Sequence, residues 1–246
     1  TEGSALFFDS NLQIANILQS FAYDDLKSGQ NRNIKKFFNF VDDHKTDLVN
    51  LKIELAVVKA NFLENADSVD KAIAELEEYS KEKEFGEGHN YYLASLFEKA
   101  KKFEKSQDII LSIIDKNPNN AHALNFLGYS WVERNINLNQ AHTLLKKAVS
   151  LRPNDGYIRD SLGWYYYKTG DLQRALKHVK KARELVSTDV IISKHLGMIY
   201  QDMRKFELAK KFFIEALKNS KLESDRLAVL KALENLDSAI RLPASN

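Results

Sequence analysis

Two ladders of small residues recur along the chain at one period. Ala60, Ala94, Gly128, Gly163 and Gly197 are separated by 34, 34, 35 and 34 residues. Ala72, Ser106, Ala141, Ala175 and Ala209 are separated by 34, 35, 34 and 34. A fixed period in this range is the signature of a repeat architecture, in which each unit is too small to bury its own apolar face and must stack on the next. Bulky residues surround each small one at helical spacing, as in Phe126, Leu127 and Trp131, or Leu162 and Tyr166. Each small residue therefore sits mid-helix, where a large side chain would hold neighbouring helices apart. One helix carries the first ladder and the next helix carries the second. The connections Thr169-Gly170-Asp171 and Met203-Arg204-Lys205 are too short for anything except an antiparallel helix pair. The extra residue between Gly128 and Ala141 is expected in the connecting segment Arg134–Asn139.

Composition agrees with an all-α chain. Of 246 residues, 44% are hydrophobic and 28% charged, and nine Gly and three Pro are too few for a fold of many tight β-turns. The absence of cysteine removes disulfides, thiolate metal sites and cysteine nucleophiles. A formal net charge of +2 does not mark the chain as a nucleic-acid binder, and the apolar stretches are too short to span a bilayer.

The residues around the ladders resemble the tetratricopeptide repeat. Asn125-Phe126-Leu127-Gly128-Tyr129-Ser130-Trp131, followed by Ala141, Ala148 and Pro153, carries the likeness. So does Asp160-Ser161-Leu162-Gly163-Trp164-Tyr165-Tyr166 with Ala175 and Ala182. A third copy is Leu196-Gly197, Tyr200, Ala209, Phe213 and Ala216, and an earlier one is Leu93-Ala94, Phe97, Ser106 and Pro118. The run at 153–176 looks like bacterial members of the family. Ser106 stands where Ala is usual, and the closing Pro is missing after the copies at 156 and 190. The resemblance implies a solenoid, a right-handed superhelix of antiparallel helix hairpins, whose first helices line a concave protein-binding face.

The expected organisation is a divergent N-terminal helical hairpin over 1–47, a degenerate hairpin over 48–86, and repeats over 87–221, at about 87–120, 121–155, 156–189 and 190–221. A capping helix and tail follow over 222–246. The N-terminal patterns are Leu12, Ile14, Ala15, Leu18 and Phe21, then Ile34, Phe37, Phe38 and Val41. The cap pattern is Leu227, Leu230, Leu233, Leu236 and Ile240 on one side, as the end of a solenoid requires.

On each first helix the residues one after, three before and four after the ladder glycine share one stripe. This stripe is the candidate peptide groove: Tyr91, Asn125, Tyr129, Val132, Asp160, Trp164, Tyr167, Lys194, Met198 and Gln201. Rings supply buried area while amides and carboxylates pair a peptide backbone; the competing reading is that the rings are packing residues. Trp131, Tyr166, Tyr200 and Phe97 occupy the family's packing position. Some family members clamp a C-terminal carboxylate with Lys, Asn and Arg. Tyr129, Trp164 and Asp160 stand there instead, so no such clamp is expected, and Asp160 suits an apolar segment carrying a Lys or Arg.

Charge is uneven. Asp42–Glu87 holds 13 acidic and 6 basic side chains, a net of −7, and Asp171–Lys221 holds 12 basic and 6 acidic, a net of +6. Such halves steer partners or favour head-to-tail association, unless they are only solvated outer faces. Catalysis is not expected. No His pair has the i, i+4 spacing with Glu of a zinc hydrolase, and phosphate loop, dinucleotide fingerprint and nucleophile elbow are all missing. Adjacent acids such as Asp24-Asp25, Asp42-Asp43 and Glu77-Glu78 splay apart on a helix. Of six histidines (His44, His89, His122, His142, His178 and His195), His122 falls nearest the groove. The reading is a non-enzymatic adaptor without cofactor or metal, binding a protein or peptide; the alternative is a self-associating assembly component, a homo-oligomer within a larger complex. The first residue is Thr1 rather than Met, which leaves the compartment open: periplasmic or envelope-associated if a signal was removed, otherwise cytoplasmic.

Overall fold

A third periodic feature, invisible in the composition, sets where each hairpin turns. In the computed structural model, which describes residues 2–43, 46–220 and 223–241, Asp67, Lys101, Asn135, Gly170 and Arg204 all adopt left-handed backbone with φ between 54° and 83°. In each turn the next residue's N–H reaches back to a carbonyl five residues earlier: Ser68 to Leu63, Lys102 to Phe97, Ile136 to Trp131, Asp171 to Tyr166 and Lys205 to Tyr200, at 2.8 to 3.0 Å. This closes the first helix and sends the chain back antiparallel. Four of the five residues adopt the conformation without glycine's freedom.

Among the described residues there are thirteen helices and no strand: α1 (Glu2–Ser28), α2 (Arg32–Asp42), α3 (Val49–Asn65), α4 (Val69–Glu77), α5 (Glu87–Lys99), α6 (Phe103–Lys116), α7 (Ala121–Glu133), α8 (Leu138–Leu151), α9 (Gly156–Lys168), α10 (Leu172–Leu185), α11 (Val190–Asp202), α12 (Phe206–Asn219) and α13 (Glu223–Arg241). The inserted residue of the 35-residue spacing lies between α7 and α8. That turn has four residues, 134–137, where its counterparts have three, and a second left-handed residue, Asn137, absorbs the difference. The first helices α7, α9 and α11 start on side-chain caps: Asn120 accepts from the Ala123 N–H, Asp155 from Ile158, and Asp189 from Ile191 and Ile192.

The chain divides into two compact units, Thr1–Ile113 and Ile114–Asn246, with the division inside α6. In the first unit α1 and α2 form an antiparallel hairpin whose buried residues Ala15, Ala22, Phe37 and Val41 pack on Leu51, Leu55, Val58 and Phe62 of α3. Leu12, Leu18, Ile34 and Phe38 join this core half-buried. Ile14 and Phe21 turn outward, Phe21 at 52% exposure. Ala60, Ala72 and Leu76 of the α3–α4 hairpin share a second core with Leu93, Leu96 and Phe97 of α5.

The second unit stacks α7–α8, α9–α10 and α11–α12 and ends in α13. Its cap packs through Val229, Ala232, Leu233 and Leu236. This corrects the sequence pattern: Leu227 is exposed, because residues spaced strictly by three drift back about 60° per step and cannot share one stripe, and Ile240 is exposed in the last turn of the helix. Residues 242–246 of the expected tail, and His44, lie outside the described residues.

The two small-residue ladders meet a ladder of large ones. Leu76, Ile110, Leu145, Val179 and Phe213 are fully buried and recur at the same period. A Cβ on Gly128 would stand 2.8 Å from Leu145 Cγ, and one on Gly163 would stand 2.5 Å from Val179 Cγ2 and 3.1 Å from the Val179 backbone nitrogen. One on Gly197 would collide with the Phe213 ring. The departure at Ser106 has its own reason: the buried hydroxyl donates to the Ala94 carbonyl at 2.9 Å, joining the two helices where they approach most closely.

Helix propensity favours Ala over Gly by about 1 kcal/mol, so the sign of a substitution reports the close approach. Gly163→Ala is expected to destabilise by about 1–3 kcal/mol through overpacking. Gly88→Ala, where an added Cβ would meet open space in α5, is expected to stabilise by about 0.5 kcal/mol. Denaturant melts of the two variants should shift in opposite directions. At the turns, Gly170→Ala places a Cβ at φ +83° and should cost about 1 kcal/mol, whereas Lys101→Gly relieves a left-handed Cβ and should not lower the melting midpoint.

Candidate protein-binding surface

The middle first helix of the second unit, α9, has four sides, and three are covered. The ladder glycine faces the helix's own partner. The residues one after and three before it face the next first helix. The residues two before it face the previous one. The contacts of His195 fix the last two directions. His195 lies two before Gly197 on α11, and its Nδ1–H donates to Asp160 Oδ2 of α9 at 2.8 Å. Its ring stacks on Trp164 of α9 with centroids 3.9 Å apart and planes 10° off parallel. Trp164 stacks in turn on Tyr167, at 4.7 Å and 17°. The Trp164 indole N–H donates to Glu133 of α7. One indole thus ties three consecutive hairpins together.

These contacts place the sequence-predicted residues. Val132, Asp160 and Trp164 are buried in the seams between first helices. Asn125, Tyr129, Tyr167, Lys194, Met198 and Gln201 are half-buried along the same seams. Tyr91 is half-buried on α5 of the first unit, whereas the other nine belong to α7, α9 and α11 of the second. Of the four residues at the family's packing position, Phe97, Tyr166 and Tyr200 are buried and Trp131 is half-buried.

The uncovered side of each first helix carries the residues six before and five after the ladder glycine. They are His122 and Glu133 on α7, Tyr157 and Lys168 on α9, and Ile191 and Asp202 on α11, all exposed. Tyr157 is 58% exposed. Sequence periodicity names this stripe as readily as its neighbour, its centre lying about 60° further round each helix. What periodicity lacks is the direction from which the next hairpin arrives.

The surface is locally acidic and aromatic. Burial, then Glu133 and Asp160, push the Tyr129 phenol above its ordinary pKa, so both carboxylates bear on it. Burial and a hydrogen bond to Asp202 do the same for Tyr167. Lys168 Nζ lies 6.0 Å over the Trp164 ring, at the limit of cation–π reach. Two buried acceptors, Asn125 Oδ1 and Asp160 Oδ1, have no partner.

On the other side of the hairpins, His142 stacks on Tyr165 at 4.6 Å and approaches the Tyr166 hydroxyl at 3.1 Å. Burial, then Lys146 and Arg174, lower its pKa. The acidic stretch of the first unit is paired in part: Lys59 bridges Asp42 at 2.6 Å and Glu75 at 2.8 Å, Lys102 meets Asp70 at 2.7 Å, and Lys105 meets Glu77 at 2.8 Å. Among the described residues no cluster of three His, Cys, Asp or Glu could hold a metal, and no helix is long and apolar enough to cross a membrane.

The profile of the Tetratricopeptide repeat family matches residues 195–221. The TPR repeat-containing protein PA4667 of Pseudomonas aeruginosa is 31% identical over 159 residues, 64% of this chain and 26% of its own length. The chain therefore spans about a quarter of that relative. The structure of TTC0263, a thermophilic TPR protein of Thermus thermophilus, matches with a TM-score of 0.63 at 20% identity, over 76% of this chain and 98% of its own. That of PilW, a type IV pilus biogenesis factor, matches with a TM-score of 0.59 at 18% identity, over 80% and 90%. With the ladders, the hairpin turns and these likenesses in agreement, residues 195–221 are a tetratricopeptide repeat and the chain has the tetratricopeptide-repeat solenoid fold.

Proposed function

We propose that the chain is a non-catalytic scaffold that holds a protein or peptide segment along the first helices of its second unit. The supporting observation is the exposed line of Tyr157, Ile191, His122, Glu133, Lys168 and Asp202, edged by the half-buried Tyr129, Tyr167, Asn125, Met198 and Gln201. Rigid rings beside carboxylates and amides suit a segment with apolar side chains and a polar backbone. The buried Trp164 acts beneath this surface, fixing its shape. A scaffold role fits a tetratricopeptide-repeat chain, and assembly roles such as that named for PilW make the cell envelope a reasonable place to look for the partner. The test is partner recovery with Tyr157→Ala plus Ile191→Ala, against Lys180→Ala on the exposed side of α10 as control. The double variant, both of whose sites are exposed, is expected to fold normally and lose partners that the control keeps. Retention of every partner by the folded double variant rules the surface out.

A second reading, self-association, draws support from α1. Leu6, Ile14, Ile17 and Phe21 are exposed there and, by helical spacing, share an arc of about 80°. If α1 pairs two copies, light scattering will show a mass that rises with concentration, and Ile17→Asp plus Phe21→Asp will hold the chain monomeric. A mass that is monomeric at every concentration removes this reading.

A further inference from the structure

We infer that the proposed binding surface contains a specific subsite for a cationic side chain, arginine or lysine, formed by Asp160, Glu133 and Tyr129. This rests on the reading of that surface as a segment-binding face and names what one position of the segment must carry.

The pairing of Asp160 is incomplete. It is only 5% exposed, its Oδ2 accepts from His195, and its Oδ1 is buried without a partner. An acceptor left so lowers stability, and more where it is charged. His195 cannot relieve it, because the ring is pinned flat against Trp164 and reaches only the other oxygen. Glu133 sits beside it on the uncovered side of α7. It accepts from the Trp164 indole and takes part in none of the ion pairs of the second unit, which among the described residues are Arg174–Asp171, Lys181–Glu184, Arg183–Glu215 and His195–Asp160. Glu133 meets the Trp164 indole nitrogen and Asp160 meets the imidazole stacked on that same indole, so the two carboxylates flank one ring, and both bear on the Tyr129 phenol. The cation at the exposed rim is the chain's own Lys168, 6.0 Å over Trp164.

Two carboxylates and a phenolic oxygen gather beside the Trp164 indole, and between them they carry more acceptor capacity than His195 and the indole N–H fill. A guanidinium or ammonium group supplies donors and positive charge together. Bulk charge cannot mimic this selectivity. The second half of the chain is net basic, with +6 over Asp171–Lys221, so its long-range field repels cationic segments. A preference for Arg must come from Asp160, Glu133 and Tyr129 themselves.

The test uses the full chain and four fluorescein-labelled apolar nonapeptides that differ only at the central residue: Arg, Lys, Gln or Glu. Fluorescence anisotropy is expected to show Arg and Lys binding at least tenfold tighter than Gln, with Glu weakest. The Arg-to-Gln ratio should fall to about one in Asp160→Asn and to a few-fold in Glu133→Gln, with the Gln peptide's own affinity unchanged. Glu133 is exposed, so its variant carries the test if Asp160→Asn fails to fold by circular dichroism. Equal binding of all four peptides, or an Arg preference untouched in the folded variants, overturns the subsite and leaves the binding surface standing. No binding of any peptide counts against the surface itself, and the subsite falls with it.

Discussion

The closeness of two helices within each hairpin governs everything else in this chain. Gly128, Gly163 and Gly197 leave room for Leu145, Val179 and Phe213, and the two members of each pair are positions on opposite helices that nearly touch. A single added methyl group would enter occupied space. Interiors are packed as densely as organic crystals, so such contacts tolerate little variation. The hairpin is therefore a thin, nearly fixed object. Stacking then follows, because a 34-residue hairpin cannot bury its flanks alone and its neighbour presents the same flank at the same height.

Small residues and turns divide this work. The ladders set how near the helices lie, and the left-handed residues set where the first helix stops. Four of the five turn residues are Asp67, Lys101, Asn135 and Arg204, whose Cβ atoms are strained in that conformation. The strain persists because the turn bond, the helix pair and the neighbouring hairpins all demand the same backbone. Ser106 answers to the same constraint: where the ladder admits a hydroxyl in place of a methyl group, it is used at once, on the Ala94 carbonyl.

Much of this was legible in the sequence, since periodicity is a property of one chain. The ladders, the hairpin connections and the location of the inserted residue all follow from spacing. Properties of neighbours were less legible. The stripe of Asn125, Tyr129, Val132, Asp160, Trp164 and Tyr167 lies on one side of its helices, as spacing requires, but spacing cannot say that the next first helix covers much of that side. Trp164 makes the point. Its sequence context gives an aromatic on a polar stripe, while its surroundings, His195 on one face and Glu133 at the indole nitrogen, come from residues 31 positions away in either direction. The C-terminal helix shows a different limit. Five apolar residues at steps of three and four look like one face, yet the drift of each three-step carries Leu227 to the side opposite Leu236, and Ile240 is exposed in the last turn although it keeps the register of Leu236.

The polar residues of the seams carry the functional argument. A repeat stack built for stability alone would fill the seams between first helices with apolar side chains, since a buried polar group offsets its desolvation only when fully paired. This stack instead places Asp160 and His195 there, with Glu133 at the edge, and leaves Asp160 Oδ1 and Asn125 Oδ1 without partners. The indole holds Glu133 and the imidazole holds Asp160, so little further ordering is needed before a donor can meet them. Preorganisation of that kind lowers the entropic cost of binding. Stability is thus given up at the places where the first helices meet, and a donor-bearing segment is the chemistry that would recover it.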